Sequence, residues 1–259
     1  MLYIFVIIKC TYWICYYNLL FGKNSIVYKE PHSIGFIKDV AFYLYNSTST
    51  NLGYVFLLSA ILLSILPFIL IRHPERSRRT YFITDFILWI LILNINNNLY
   101  PTLTGGDYLL NQFLFFNCFL AFEKNKNYFK IPLHNFASIA IVIQICLVYF
   151  LSALAKLNSA EWLDGLAISE TLQVKHYSLN ILLLTKQNTL NSIINYMVLF
   201  YQLLFPIIIW FKKVKKPFLI IGIVMHLFIA FGMGLMSFGF IMILAYIYFY
   251  DFKNDFRKK

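Results

Sequence analysis

The chain runs as long apolar blocks separated by short polar or basic stretches. Each block can be measured against the ~20 residues a helix needs to cross ~30 Å of hydrocarbon. The first, 1–21, is rich in Tyr and carries Lys9. It has no basic leading region and no small-residue cleavage site, so it reads as a retained span rather than a signal peptide. The second covers 52–71 and the third 81–99, which turns polar at Asn96, Asn97 and Asn98. A turn containing Gly105, Gly106 and Asp107 leads into a short fourth block, 108–122, and Asp107 is the expected N-cap of that helix. The fifth block is 135–157 and the sixth 190–211. The last apolar run, 217–250, is too long for one span. Gly232, Gly234 and Gly239 allow a break, giving a seventh span to about 233 and an eighth from about 237. Seven spans is the rival count.

Composition agrees with this pattern. Of 259 residues, 60% are hydrophobic and 13% charged, against about 45–50% and about 25% in soluble domains. The expected fold is all-α: a single polytopic transmembrane domain over 1–259, embedded in the lipid bilayer of the cell membrane. The net charge of +11 raises nucleic acid as a partner. Its distribution argues against that, because the basic residues lie in short clusters between apolar blocks, where headgroups would be. Placing the loop with Arg72, Arg76, Arg78 and Arg79 in the cytoplasm puts fifteen Lys and Arg inside and five outside. Both termini are then cytoplasmic, which favours eight spans over seven. The four cysteines all lie in apolar blocks without metal-ligand spacing, so no metal site is expected.

The same orientation brings three polar features to the outer face: Asn96–Asn98, the Gly105–Asp107 turn and the stretch from Lys156 to Gly165. Lys156 shares a helix face with Ser152 and Tyr149, four and seven residues earlier. It is either a snorkelling anchor or, sheltered within the bundle, a candidate base. Glu161 or Asp164 could pair with it. The segment 161–168 reads as a short interfacial helix with Ser159 as N-cap and Trp162 as its headgroup anchor, able to roof a pocket. Asn96, Asn97 and Asn98 face a ligand, form an interhelical hydrogen-bond cluster or simply make a wet helix end. His226, deep in the seventh span, is a candidate catalytic group or a histidine bonded to a neighbouring helix.

Taken together, Tyr149-Phe150, Ala155-Lys156-Leu157, Trp162 and Gly165 resemble the signature of the HTTM family, the membrane domain of vitamin K-dependent gamma-carboxylase. The Asn-rich end of span three with Gly105-Gly106-Asp107, and His226-Leu227 followed by Gly232-Met233-Gly234 and Phe238, match in the expected order, so the likeness runs over about 81–250. It implies that Lys156 is the base acting on a hydroquinone cofactor, with Asn97, Asn98 and His226 near the same site. The carboxylase carries a large lumenal portion that binds its protein substrate, so gamma-carboxylation by this chain alone is not expected. The short form looks like the bacterial sporulation-delaying protein B branch. That branch implies work with a small SdpA-like partner protein on a secreted peptide toxin. The alternatives are a non-enzymatic scaffold or immunity partner and, last, vitamin K-type oxygenase chemistry.

Overall fold

In the computed structural model, residues 1–21, 25, 27, 50–70, 77–99, 102–120, 130–174 and 188–249 are described. Every regular element among them is helical. They form two compact units, Met1–Ser138 and Ile139–Lys259.

The first unit holds α1 (Leu2–Cys15), the single turn α2 (Tyr17–Leu20), α3 (Thr50–Leu70), α4 (Ser77–Asn98) and α5 (Gly105–Asn117). α1 packs on α3, α3 on α4, and α4 on α5. Polar contacts cross this unit. Asp85 of α4 accepts hydrogen bonds from the Tyr3 hydroxyl at 2.8 Å and from Asn117 Nδ2 at 2.9 Å. Lys9, buried in α1, forms an ion pair with Asp107 of α5 and lies 5.0 Å from the Trp13 ring centroid. Asp107 is not the N-cap expected from the sequence. Helix α5 begins three residues earlier than expected, at Gly105, with Thr104 as N-cap and Asp107 at the third helical position. From there its carboxylate reaches back, accepting from the Thr104 amide at 2.7 Å and hydroxyl at 3.0 Å.

The second unit is entered along α6 (Lys130–Leu157). Its buried positions, Ala137, Ile141, Ile145, Tyr149 and Ala153, recur every fourth residue and draw one stripe along the helix. Ile139, Ile143, Leu147, Phe150, Leu151 and Leu154 on the other faces are exposed. An apolar exterior around a buried stripe is the pattern of a lipid-facing helix, with small Ala137 and Ala153 permitting close approach. After α6 come the short α7 (Ala160–Leu163), α8 (Ala167–Gln173), α9 (Asn188–Ile208) and α10 (Lys212–Leu227). α10 widens into a π-helical turn, Phe228–Gly232. The chain then breaks, with Gly234 at φ +69°, and resumes as α11 (Met236–Ala245) and a final 3₁₀ turn, Tyr246–Phe249. The break falls among the glycines where the sequence places one, since only a residue without Cβ takes that backbone without strain.

Among the described residues, four helical stretches are long and apolar enough to cross a membrane: Leu52–Ile69, Leu133–Leu157, Thr189–Ile208 and Lys212–Gly232. Leu2–Cys15 and Met236–Phe249 are apolar but shorter. Residues 71–76 of the basic loop, the loop at 121–129, the segment at 175–187 and the basic tail lie outside the described residues.

Candidate functional site

Lys156 stands one residue from the end of α6, half-buried. Its ammonium donates to Ser152 Oγ at 2.8 Å, one helical turn back, and lies 4.8 Å from the Trp162 ring centroid. A cation over an indole face is held by the ring's negative quadrupole. Among the described residues no carboxylate pairs with Lys156. Glu161, one of the partners considered from the sequence, is exposed and accepts from the Ser159 hydroxyl at 2.5 Å. That hydroxyl bond, with a backbone bond, holds its carboxyl below the usual carboxylate range.

Trp162 is positioned by a different helix. The expected interfacial helix over 161–168 is in fact two pieces, because Gly165 sits at φ +76° and turns the chain between α7 and α8. The first turns of α9 then grip this turn. Asn195 Nδ2 donates to the Trp162 carbonyl at 2.8 Å, Tyr196 Oη to the Leu163 carbonyl at 2.7 Å and Ser192 Oγ to the Gly165 carbonyl at 3.1 Å. Asn191 Nδ2 adds a bond to Ser169 Oγ at 2.9 Å. The carbonyls left open at the end of the one-turn helix α7 are thereby satisfied by side chains from elsewhere.

Two turns before Lys156 on α6, Tyr149 is fully buried and stacks on Phe205 at a centroid separation of 3.9 Å. Its hydroxyl lies 2.6 Å from His226 Nε2 and 2.5 Å from the Tyr246 hydroxyl. Tyr246 continues to the Tyr201 hydroxyl at 3.0 Å, and Tyr201 donates to the Phe218 carbonyl at 3.2 Å. Gly222 makes room for this, since a Cβ there would fall on the Tyr201 and Tyr246 hydroxyls. Helices α6, α9 and α10 and the last turn thus contribute to one buried line of polar groups.

Of the residues singled out from the sequence, Tyr149 meets His226, and Ser152 meets Lys156 and, through it, Trp162. Asn97 and Asn98 belong to the first unit: Asn97 is exposed, and Asn98 Nδ2 donates to the Asn94 carbonyl of its own helix at 2.9 Å. Their neighbour Asn96 is buried, with Nδ2 reaching the Asp107 carbonyl at 3.5 Å. Sequence reasoning missed Tyr201 and Tyr246, which carry no distinguishing signal in a chain with 19 tyrosines. It also missed the Asn191-Ser192/Asn195-Tyr196 pattern, whose repeat four residues later marks one polar face at the start of α9. Among the described residues no three metal-ligating side chains cluster.

The HTTM domain family model matches residues 115–253, more than half of the chain and nearly all of the described second unit. The chain belongs to the HTTM family. The sporulation-delaying protein SdpB of Bacillus subtilis (strain 168) is 28% identical over 131 residues, covering 48% of this chain and 41% of that protein. This chain therefore spans about two-fifths of the length of the curated relative it matches. No solved structure matches. Apolar helices of spanning length and HTTM membership together make this a membrane protein of the HTTM family.

Proposed function

We propose that this HTTM protein assists the maturation or export of a secreted peptide at the cell membrane. In this reading Lys156 is the chemical group, and a quinone or hydroquinone is the bound small molecule. The observation that carries it is the setting of Lys156. Its half-buried ammonium has no acidic partner among the described residues, and it lies on the same helix face as Tyr149, which bonds His226. An amine held by a hydroxyl and an indole face is available to a ligand in a way an ion-paired lysine is not. Ser152 and Trp162 would orient the amine, and Glu161 would lie at the rim. Asn97 and Asn98 enter this reading through the family likeness alone. A small SdpA-like protein and the peptide itself are the partners proposed.

The topology proposed with it has eight spans and both termini in the cytoplasm, which sets Lys156 and Trp162 at the outer face. Cysteine introduced at Asn158 should then react with an impermeant maleimide in intact cells, and cysteine at Lys213 only after permeabilisation.

The functional test is binding of a quinone analogue to purified protein. Binding is expected in the wild type and in Ser152→Ala, weakened in the latter, and absent in Lys156→Ala. Equal binding by wild type and Lys156→Ala, with both variants folded, overturns the assignment of Lys156. A second reading rests on the fact that Ser152 and Trp162 already occupy the ammonium. In that reading the polar groups serve helix packing and the protein is a scaffold or immunity partner. Loss of quinone binding by the wild type, with partner association retained, would favour it.

A further inference from the structure

The buried line from His226 to Phe218 has a direction. It contains four contacts and, with neutral imidazole, four hydrogens to fill them: three phenolic hydrogens and one ring N–H. The Phe218 carbonyl can only accept, so Tyr201 donates to it. Tyr201 then accepts from Tyr246, Tyr246 from Tyr149, and Tyr149 from His226. One arrangement alone makes all four contacts hydrogen bonds. It places the imidazole proton on Nε2 and leaves Nδ1 as a bare lone pair.

That lone pair is buried. His226 is 1% exposed, and its Nδ1 has no hydrogen-bond partner among the described residues. The surroundings are aromatic, with Phe238 and Tyr246 each at a centroid distance of 5.9 Å. Two features of the same helix point to a working position. The π-helical turn begins two residues later, at Phe228, and such turns are found mostly as local insertions at functional sites. The span then breaks at Gly234, and interrupted spans are where membrane proteins build binding sites.

We propose that Tyr149, Tyr246 and Tyr201 are positioning residues that hold His226 in the Nε2–H form, so that Nδ1 accepts a hydrogen bond from an uncharged O–H or N–H donor of a bound molecule. This rests on the site reading given above and assigns His226 a recognition role within it. Two sources share the donor chemistry: a ring hydroxyl of a lipid-soluble hydroquinone, and a backbone amide of a peptide. A quinone in its oxidised form has acceptors only and would not satisfy Nδ1.

The test uses the full chain in detergent with ¹⁵N-labelled histidine, the His226 signals being identified by their loss in His226→Asn. In the wild type Nε2 is expected to give the protonated-nitrogen shift and Nδ1 the unprotonated one. Tyr201→Phe removes the fixed end of the line, and the Nδ1–H form is expected to rise at least tenfold. A merely structural tyrosine would leave the tautomer unchanged. A naphthohydroquinone, its dimethyl ether and N-acetylglycinamide are then added separately. Movement of Nδ1 with the hydroquinone but not the ether supports a ring-hydroxyl ligand, and movement with the amide supports a peptide. A wild-type Nδ1–H tautomer, or no Nδ1 response to either donor, overturns the proposal. If the hydroquinone perturbs Trp162 and neither donor moves Nδ1, this inference fails and the quinone reading stands. If the amide moves Nδ1 and the hydroquinone perturbs neither Nδ1 nor Trp162, the quinone reading fails and this inference stands.

Discussion

Gly222 and Tyr246 meet where a side chain on one would occupy the place of the hydroxyl on the other. Replacing Gly by Ala inside a helix ordinarily adds up to about 1 kcal/mol of stability. Here the added methyl displaces the Tyr201 and Tyr246 hydroxyls, and the net effect expected for Gly222→Ala is a loss of about 1–3 kcal/mol. Thermal unfolding in detergent measures it. A stabilised variant would show that the two tyrosines can move aside freely.

Lys9 and Asp107 form a charge pair within the first unit. Removing one charge leaves the other buried, and Lys9→Met alone should cost about 3–5 kcal/mol. The double variant Lys9→Met/Asp107→Asn should cost clearly less than the two single changes added together. A double-mutant cycle on unfolding free energies reads the coupling, and strict additivity would mean that the two groups act independently.

Asn195 holds the Trp162 carbonyl. In a background where Trp13, Trp89 and Trp210 are phenylalanine, Asn195→Ala should shift Trp162 emission to the red as the turn loosens. One neutral hydrogen bond contributes about 0.5–1.5 kcal/mol, so the protein should remain folded. An unchanged spectrum would mean that the indole is held by other contacts.

Gly165 adopts a left-handed backbone, and a Cβ there would also press on Ser192 and Tyr196 at 3.2 Å. Gly165→Ala should cost about 1–2 kcal/mol from the backbone alone. Gly165→Asn should be milder in its backbone component, since asparagine tolerates this conformation better. Ranking the two by melting temperature separates backbone strain from crowding.

Much of the helical layout was legible because lipid demands long apolar runs, and glycine marks where the last run bends. Lys156 with Ser152 was legible too, since a four-residue separation on a helix is nearly a contact. The pairing of Tyr149 with His226 was not, although each was noticed separately, because helix periodicity says which way a residue faces but not what it meets. The role of Asp107 differs from the reading by three helical positions: Gly105 and Gly106 read as a turn yet form the first turn of α5. Lys9 reads from the sequence only as a residue within the first apolar block, and its partner emerges only when α1 and α5 are folded together. Tyr201 and Tyr246 differ from other tyrosines only in where the third dimension puts their hydroxyls.

The platform beside Lys156 is fastened by amide and hydroxyl groups of α9, not by the helix that carries the lysine. Its release is therefore a shared event: loosening the turn frees several carbonyls together and breaks bonds made by the leading turns of α9. In the proposed site, occupancy beside one amine is mechanically tied to the seating of a second helix, and whatever grasps that helix from outside the chain would share in the control.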